Sequence, residues 1–287
     1  MRAALWFLLL PALALSAEVV DETGTKVQLA AKPQRIVTLA PSLGELAADL
    51  DTEHIERIVG VSEYTDFPPA LKKVGSIGPY HRFNLEKVLA LKPDLVLATK
   101  DGNAEDQVRH LRELGLKVVV VDTSSLALIA RSMRVAGQAM GMAEAGERMG
   151  KAFEERMSGY RRKVWKVRKT VLLQFGDEPL IVAGKESFLN EALELIGALN
   201  AYRDTPGRYI RPSLEDAVSR APGEIVILAL GDDPAPFRKM AEKWKRFPRL
   251  SAVKAGRVKV LKADALIRPT MRFFDGLKLL EEAVFGP

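Results

Sequence analysis

The sequence predicts an α/β protein: two Rossmann-like lobes with central parallel sheets, joined by one long α-helix. Three observations predict it. Continuous apolar runs of strand length alternate with segments of helical spacing, the pattern of buried parallel strands covered by helices on both faces. Residues 125–168 carry almost no strand signal and no proline, so they read as helix between two α/β halves. A helix–proline–strand unit also occurs twice. NLEKVLALKPDLVLA (84–98) and SLEDAVSRAPGEIVILA (213–229) place Leu-Glu, proline and strand at one offset of 129 residues (215 against 86, 222 against 93).

The elements follow in order. Arg2 precedes an apolar run from Ala3 to Leu15, and Ala14-Leu15-Ser16-Ala17 offers small residues for cleavage. Residues 1–16 therefore read as a signal peptide, with an apolar stretch too short to span a bilayer. An N-terminal lobe is expected over 17–124. It opens with a strand at 35–40, a helix at about 43–50 and a strand at about 57–61. GVSEYTDFPP (60–69) is the loop that follows, since Pro68-Pro69 forbids regular structure. Helical spacing returns at 84–92, an apolar strand at 94–98, an amphipathic helix at 104–115 and a buried strand at 117–121. The linker, 125–168, is expected to break near Gly141, and its 143–165 piece would be about 30 Å long at ~1.5 Å per residue. The C-terminal lobe, 169–287, restarts with a strand at 170–175. Helices at about 187–199 and 213–220, strands near 225–229 and 257–261 and a last helix at about 270–284 complete it.

Composition narrows the function classes. Hydrophobic residues make up 47% and charged residues 28% of the 287, so a folded globular chain is expected rather than disorder. The net charge of +6 is spread thinly. Its densest run, at 161–169, reads as a solvated helix end where cations suit the dipole, and no nucleic-acid partner is expected. There is no cysteine, hence no disulfide and no lipid-anchoring thiol, and a soluble periplasmic monomer is the expectation. Enzymatic motifs fail on inspection. Val74 stands where GSIG (75–78) would need the first glycine of a nucleophile elbow, and Pro179 where a phosphate loop ending in Gly184-Lys185 would need its own. His54, His81 and His110 are too scattered for a zinc site. Neither a catalytic residue, nor a metal site, nor a cofactor is expected.

Two α/β lobes sharing one strut form a cleft where the strand C-termini of both face each other. Tyr64 follows its strand into that region. Tyr80 lies in Gly78-Pro79-Tyr80-His81, Phe175 ends the run Leu172-Leu173-Gln174-Phe175, and Tyr209 lies in Pro206-Gly207-Arg208-Tyr209. Asp264 and Arg268 follow the last strand. The rings supply flat apolar area and the last two directional polar contacts. Phe67, next to the prolines, is expected to brace its loop.

These residues carry a family resemblance. RIVTLAPSLGELA (35–47), GVSEYTDFPP, NLEKVLALKPDLVLATKDGNAEDQV (84–108) and LLQFGDEPLIVAGKES (172–187) stand within a likeness spanning about 33–285. The chain resembles the helix-linked periplasmic substrate-binding proteins of ABC importers, most closely the cobalamin-binding BtuF type. The resemblance implies delivery of a corrinoid, cobalamin or a relative, to a membrane ABC permease dimer. It implies that Tyr64, Tyr80, Phe175 and Tyr209 stack on the ligand, Tyr80 and Tyr209 standing where tryptophan is usual, and that Asp264 and Arg268 make polar contacts. Glu86 and Glu215 match the acidic knobs that dock on the permease. Thr99 replaces a frequent tryptophan, and Ile181 and Leu266 replace phenylalanines, so a less aromatic pocket is implied. A haem, held through Tyr80 with His81 adjacent, or a ferric siderophore is the alternative guest.

Overall fold

The computed structural model describes residues 16–163, 165, 168–231 and 233–286. The expected signal peptide lies outside the described residues except for Ser16, as do Val164, Lys166 and Val167 of the basic run. The first element is a hairpin absent from the expectations. Strands β1 (Ser16–Val20) and β2 (Lys26–Ala30) pair antiparallel, with Val27 and Leu29 turned inward. Asp21 docks it: its carboxylate pairs with Arg112 and accepts from the backbone N–H groups of Thr23, Thr25 and Val120 at 2.9, 3.0 and 3.0 Å.

Then comes an alternating run: β3 (Ile36–Thr38), α1 (Pro41–Leu50), β4 (Ile58–Val61), α2 (Leu85–Ala90), β5 (Leu95–Thr99), α3 (Glu105–Glu113) and β6 (Val118–Val121). The four strands lie in the order β4-β3-β5-β6 and all pair parallel. Leu95 to Ala98 and Val118 to Val121 are buried throughout, as strands covered on both faces require.

The linker breaks near Gly141, as expected, into two helices. Helix α4 (Leu126–Ala139) stops before Gly141, whose left-handed backbone (φ 71°) turns the chain, and α5 (Ala143–Arg161) runs back along it. Ile129, Ala130, Met133 and Ala136 of α4 are fully buried, and α4 packs on β1, α1 and β6, against the N-terminal sheet. Helix α5, 19 residues or about 28 Å long, reaches the second lobe, and the start of α4 touches it through Leu126 N–H, which donates to Glu191 at 3.3 Å. The Phe153 ring of α5 lies 5.9 Å from that of Phe273 and 4.8 Å from that of Phe274.

The second lobe holds β7 (Thr170–Asp177), β8 (Leu180–Ala183), α6 (Phe188–Leu195), β9 (Leu199–Asn200), β10 (Tyr209–Ile210) and α7 (Leu214–Ser219). It continues through β11 (Glu224–Ala229), α8 (Ala235–Lys243), α9 (Ser251–Lys254), β12 (Val258–Lys262), α10 (Asp264–Ile267) and α11 (Phe273–Phe285). Its sheet is mixed rather than parallel. Strands β9, β7, β11 and β12 run parallel, but β8 runs antiparallel to β7, and β10, antiparallel to β8, closes that edge. The reason is local: two residues, Glu178 and Pro179, separate β7 from β8, and so short a connection joins only antiparallel neighbours.

The repeated unit folds alike in both halves. Helix α2, Pro93 and β5 match helix α7, Pro222 and β11, and the residues before the prolines, Lys92 and Ala221, share a left-handed backbone with φ of 45° and 48°. The core has three parts, one on the outer face of each sheet and one shared between the lobes. Leu43 and Leu46 of α1, Phe153 of α5, Phe188 of α6 and Phe273 and Phe274 of α11 belong to the shared part. Each fully buried ring there contributes roughly 1.5–3 kcal/mol of transfer free energy, so the lobes are joined by packing as well as by the chain.

Candidate ligand-binding cleft

The N-terminal wall is built from loops at the C-terminal ends of β3, β4 and β5. The loop after β4 lies beside the segment leading to Tyr80: Ile77 N–H donates to Val61 O at 2.8 Å and Glu63 N–H to Gly78 O at 2.9 Å. Tyr64, with a left-handed φ of 64°, stands 77% exposed between them and solvent. Tyr80 is 40% exposed, its ring edge-on to His81 at 5.6 Å. A buried side chain that sequence reasoning passed over sets its position. Asn103 Nδ2 donates to Tyr80 O at 2.6 Å and to Leu39 O at 2.9 Å, while its Oδ1 accepts from Thr99 N–H at 2.8 Å. One amide thus ties the ends of β3 and β5 to the Tyr80 loop. Gly102, at φ 114°, sits under the Tyr80 ring where a Cβ would collide with it.

The C-terminal wall carries Phe175 on β7 and Tyr209 on β10, their rings perpendicular (87°) at 5.1 Å. Tyr209 pairs in register with Ala183 of β8, so the mixed sheet brings the two rings together. Asp101 links the walls. It lies one residue before Gly102 and forms an ion pair with Arg208, the neighbour of Tyr209, at 3.3 Å. Burial pushes the Tyr80 phenol up, and the Asp101 charge adds to it. Burial likewise raises the Tyr209 phenol, with Asp101 and Tyr80 pushing the same way. Burial raises the Asp101 carboxyl too, and Arg208 pulls it back. The Asp101–Arg208 contact thus sets the Tyr80 wall across from the Phe175–Tyr209 pair.

Tyr64, Asp264 and Arg268 form a second group. Arg268 is not an open polar contact: it is 7% exposed and engaged on every side. Its Nη1 donates to Glu45 and, at 2.6 Å, to Asp66; its Nη2 donates to Tyr64 O at 3.0 Å and lies 3.8 Å from Asp264. Arg272 adds a second cation on Glu45 at 3.0 Å and lies 3.7 Å above the centre of the Phe67 ring. Phe67 is thereby held against the second lobe. Asp264 accepts from Gly231 N–H at 3.1 Å, but its other oxygen is buried without a hydrogen-bond partner. The sequence did hold a signal for Glu45, a lone carboxylate among Leu43, Leu46, Ala47 and Ala48; a fully buried charge requires a partner.

Glu86 and Glu215 lie exposed in the first turns of α2 and α7, and neither forms an ion pair among the described residues. The caps are alike: Asn84 Oδ1 accepts from Lys87 N–H at 2.9 Å and Ser213 Oγ from Asp216 N–H at 3.1 Å. Asp216, beside Glu215, is taken by the Tyr202 hydroxyl at 2.7 Å and by Arg220, which leaves Glu215 as the carboxylate facing solvent. Thr99 and Leu266 are buried and Ile181 is half-buried.

Two hollows lie elsewhere. One of about 150 Å³ is lined by Gln174, Leu180, Lys243 and Trp244, and one of about 270 Å³ by Tyr160, Trp165, Glu191 and Glu194. Neither holds two aromatic rings from opposite lobes, and neither lies on the walls above. Among the described residues no helix is long and apolar enough to cross a membrane.

A sequence profile of the periplasmic binding protein family matches residues 36–265. The vitamin B12-binding protein of Salmonella typhimurium is 35% identical over 223 residues, covering 76% of this chain and 80% of that one. The crystal structure of the periplasmic vitamin B12-binding protein BtuF of Vibrio cholerae superposes with a TM-score of 0.74 at 27% identity, over 88% of this chain and 98% of that one. A periplasmic haem-binding protein of Pseudomonas aeruginosa superposes with a TM-score of 0.74 at 25% identity, over 88% and 92%.

Proposed function

The chain belongs to the periplasmic binding protein family, and from that premise we propose that it captures cobalamin or a related corrinoid in the inter-lobe cleft and delivers it to an ABC importer. The observation that carries this is the Asp101–Arg208 contact, which sets Tyr80 of one lobe, packed on Gly102, on the side facing the Phe175–Tyr209 ring pair of the other. Flat rings on facing walls suit a broad, largely apolar macrocycle. Tyr64 extends the ring-lined rim on the side of the loop after β4. Asp264, with one buried oxygen unpartnered, is the polar group best placed to accept from the guest. No step makes or breaks a bond: the protein binds, carries and releases.

The same proposal has residues 1–16 direct export and the carrier act as a monomer. Glu86 and Glu215 would dock it, one carboxylate per lobe, on cations of the two permease subunits. One observation favours haem instead, the contact of Tyr80 with His81. Against it, an axial tyrosine binds ferric iron as phenolate, and burial with the Asp101 charge opposes that ionisation.

Titration calorimetry with cyanocobalamin, haem and a ferric hydroxamate tests the ligand. Cyanocobalamin is expected to bind one to one; binding of haem or the hydroxamate alone would refute the assignment. Charge reversal at both docking sites (Glu86→Lys with Glu215→Lys) is expected to abolish uptake in a reconstituted importer while leaving ligand affinity unchanged. Weakened ligand binding would instead mark the two glutamates as structural.

A further inference from the structure

The ion pair between Asp101 and Arg208 belongs to neither lobe's core. Asp101 lies in the turn after β5, Arg208 just before β10, and their contact is the one that crosses the ring-lined opening. Behind Asp101, Lys100 and Asp122 satisfy each other at 3.4 Å. The arginine of the second group, Arg268, is closed off by Glu45, Asp66 and Asp264. A guest entering between Tyr80 and Tyr209 therefore meets one anion and one cation on opposite walls, each already holding the other.

Resting on the corrinoid assignment above, we propose that Asp101 and Arg208 set the specificity of the cleft: the pair admits a corrinoid whose peripheral substituents are neutral amides and rejects one carrying a carboxylate at that place. A primary amide donates through its NH₂ group to Asp101 and accepts through its carbonyl from Arg208. It therefore replaces both partners as it parts them. A carboxylate accepts from Arg208 alone, and it leaves the half-buried Asp101 with no donor and a like charge beside it. Because Asp101 is only half-buried, the penalty for leaving it unpaired is moderate. Burial already disfavours the Asp101 charge, and Arg208 is what offsets this; a guest that takes Arg208 away restores the penalty.

The test is a matched series: cyanocobalamin and its monocarboxylate derivatives, each with one peripheral amide hydrolysed. Each is titrated into the wild-type chain, Asp101→Asn and Arg208→Gln, and the ratio of dissociation constants is read on one preparation. At least one monocarboxylate is expected to bind wild type about tenfold more weakly than the parent, with Asp101→Asn narrowing the ratio to within about threefold. Arg208→Gln is expected to widen it, and carries the test alone if Asp101→Asn does not fold. The proposal is overturned if wild type discriminates against none of the derivatives, or if neither substitution changes the ratio. Failure of wild type to bind cyanocobalamin at all is a different outcome: it removes the corrinoid assignment, and the role of the pair with it.

Discussion

Among the described residues, arginine–carboxylate contacts cross between the lobes at two places, and the two differ in what water can reach. At the opening, the side chains of Arg208 and Asp101 are 33% and 21% exposed and meet once. Deeper in, the side chains of Arg268 and Glu45 are 9% and 0% exposed, and Arg272, Thr270 and Asp66 complete the cluster. A half-buried pair of the first kind, held by one bond, is worth about 1 kcal/mol or less, so it parts easily when a guest offers replacement bonds. A buried cluster of the second kind strands a charge when any member is lost. The opening is thus built to be exchanged and the junction to be kept, although both use the same chemistry.

The buried junction depends most on Glu45. Glu45→Ala leaves Arg268 and Arg272 facing a low-dielectric junction, and a loss of about 3–5 kcal/mol in denaturant unfolding is expected. A loss below about 1 kcal/mol would show that water reaches the junction and that the contrast is false. Asp49, one turn along α1 from Glu45, sharpens it. Burial raises its carboxyl to about 6 from 3.8, with Glu45 adding repulsion and Arg272 opposing. Its folded value stands above its unfolded one, so the folded state keeps a proton that the unfolded state releases. Stability from this group is full below 3.8 and lost as the pH rises to about 6. Asp49→Asn is therefore expected to be about 1 kcal/mol more stable than wild type at neutral pH and nearly equal at pH ~4, read from melting curves at both. The smallest effect belongs to the opening: Arg208→Gln is expected to change stability by less than about 1 kcal/mol while altering ligand choice. A large loss there would make the pair a structural lock like the other. Crystals with and without ligand are expected to differ by a small closure only, because α5 and the shared aromatic core resist a hinge.

The parallel strands and the doubled helix–proline–strand unit were legible because a strand buried on both faces must be apolar throughout, and a proline after a short helix marks its end. The β1–β2 hairpin was missed because Ser16 and Ala17 look equally like a cleavage site and like the start of a strand. Strand β8 was missed because it follows β7 after Glu178-Pro179 alone, and a proline there reads as the end of regular structure. Tyr64 and Tyr80 lie on loops after strands as expected, whereas Phe175 and Tyr209 prove to lie on β7 and β10, strands that run on beyond the apolar runs that marked them. Asp101 and Arg208 could not be picked out, since each is an ordinary charged turn residue until the other lobe is placed against it. Arg268 shows the opposite error: a cation after the last strand reads as a free contact, and only the fold reveals that Glu45, 223 residues earlier, already holds it.

Local patterning determined by itself that the chain makes two α/β halves, because strand and helix periods and proline breaks act over a few neighbouring residues. Tertiary structure alone decided which charges are exchanged at the opening and which are sealed at the junction. Burial and distance fix the strength of an ion pair, and both depend on residues far apart in the chain.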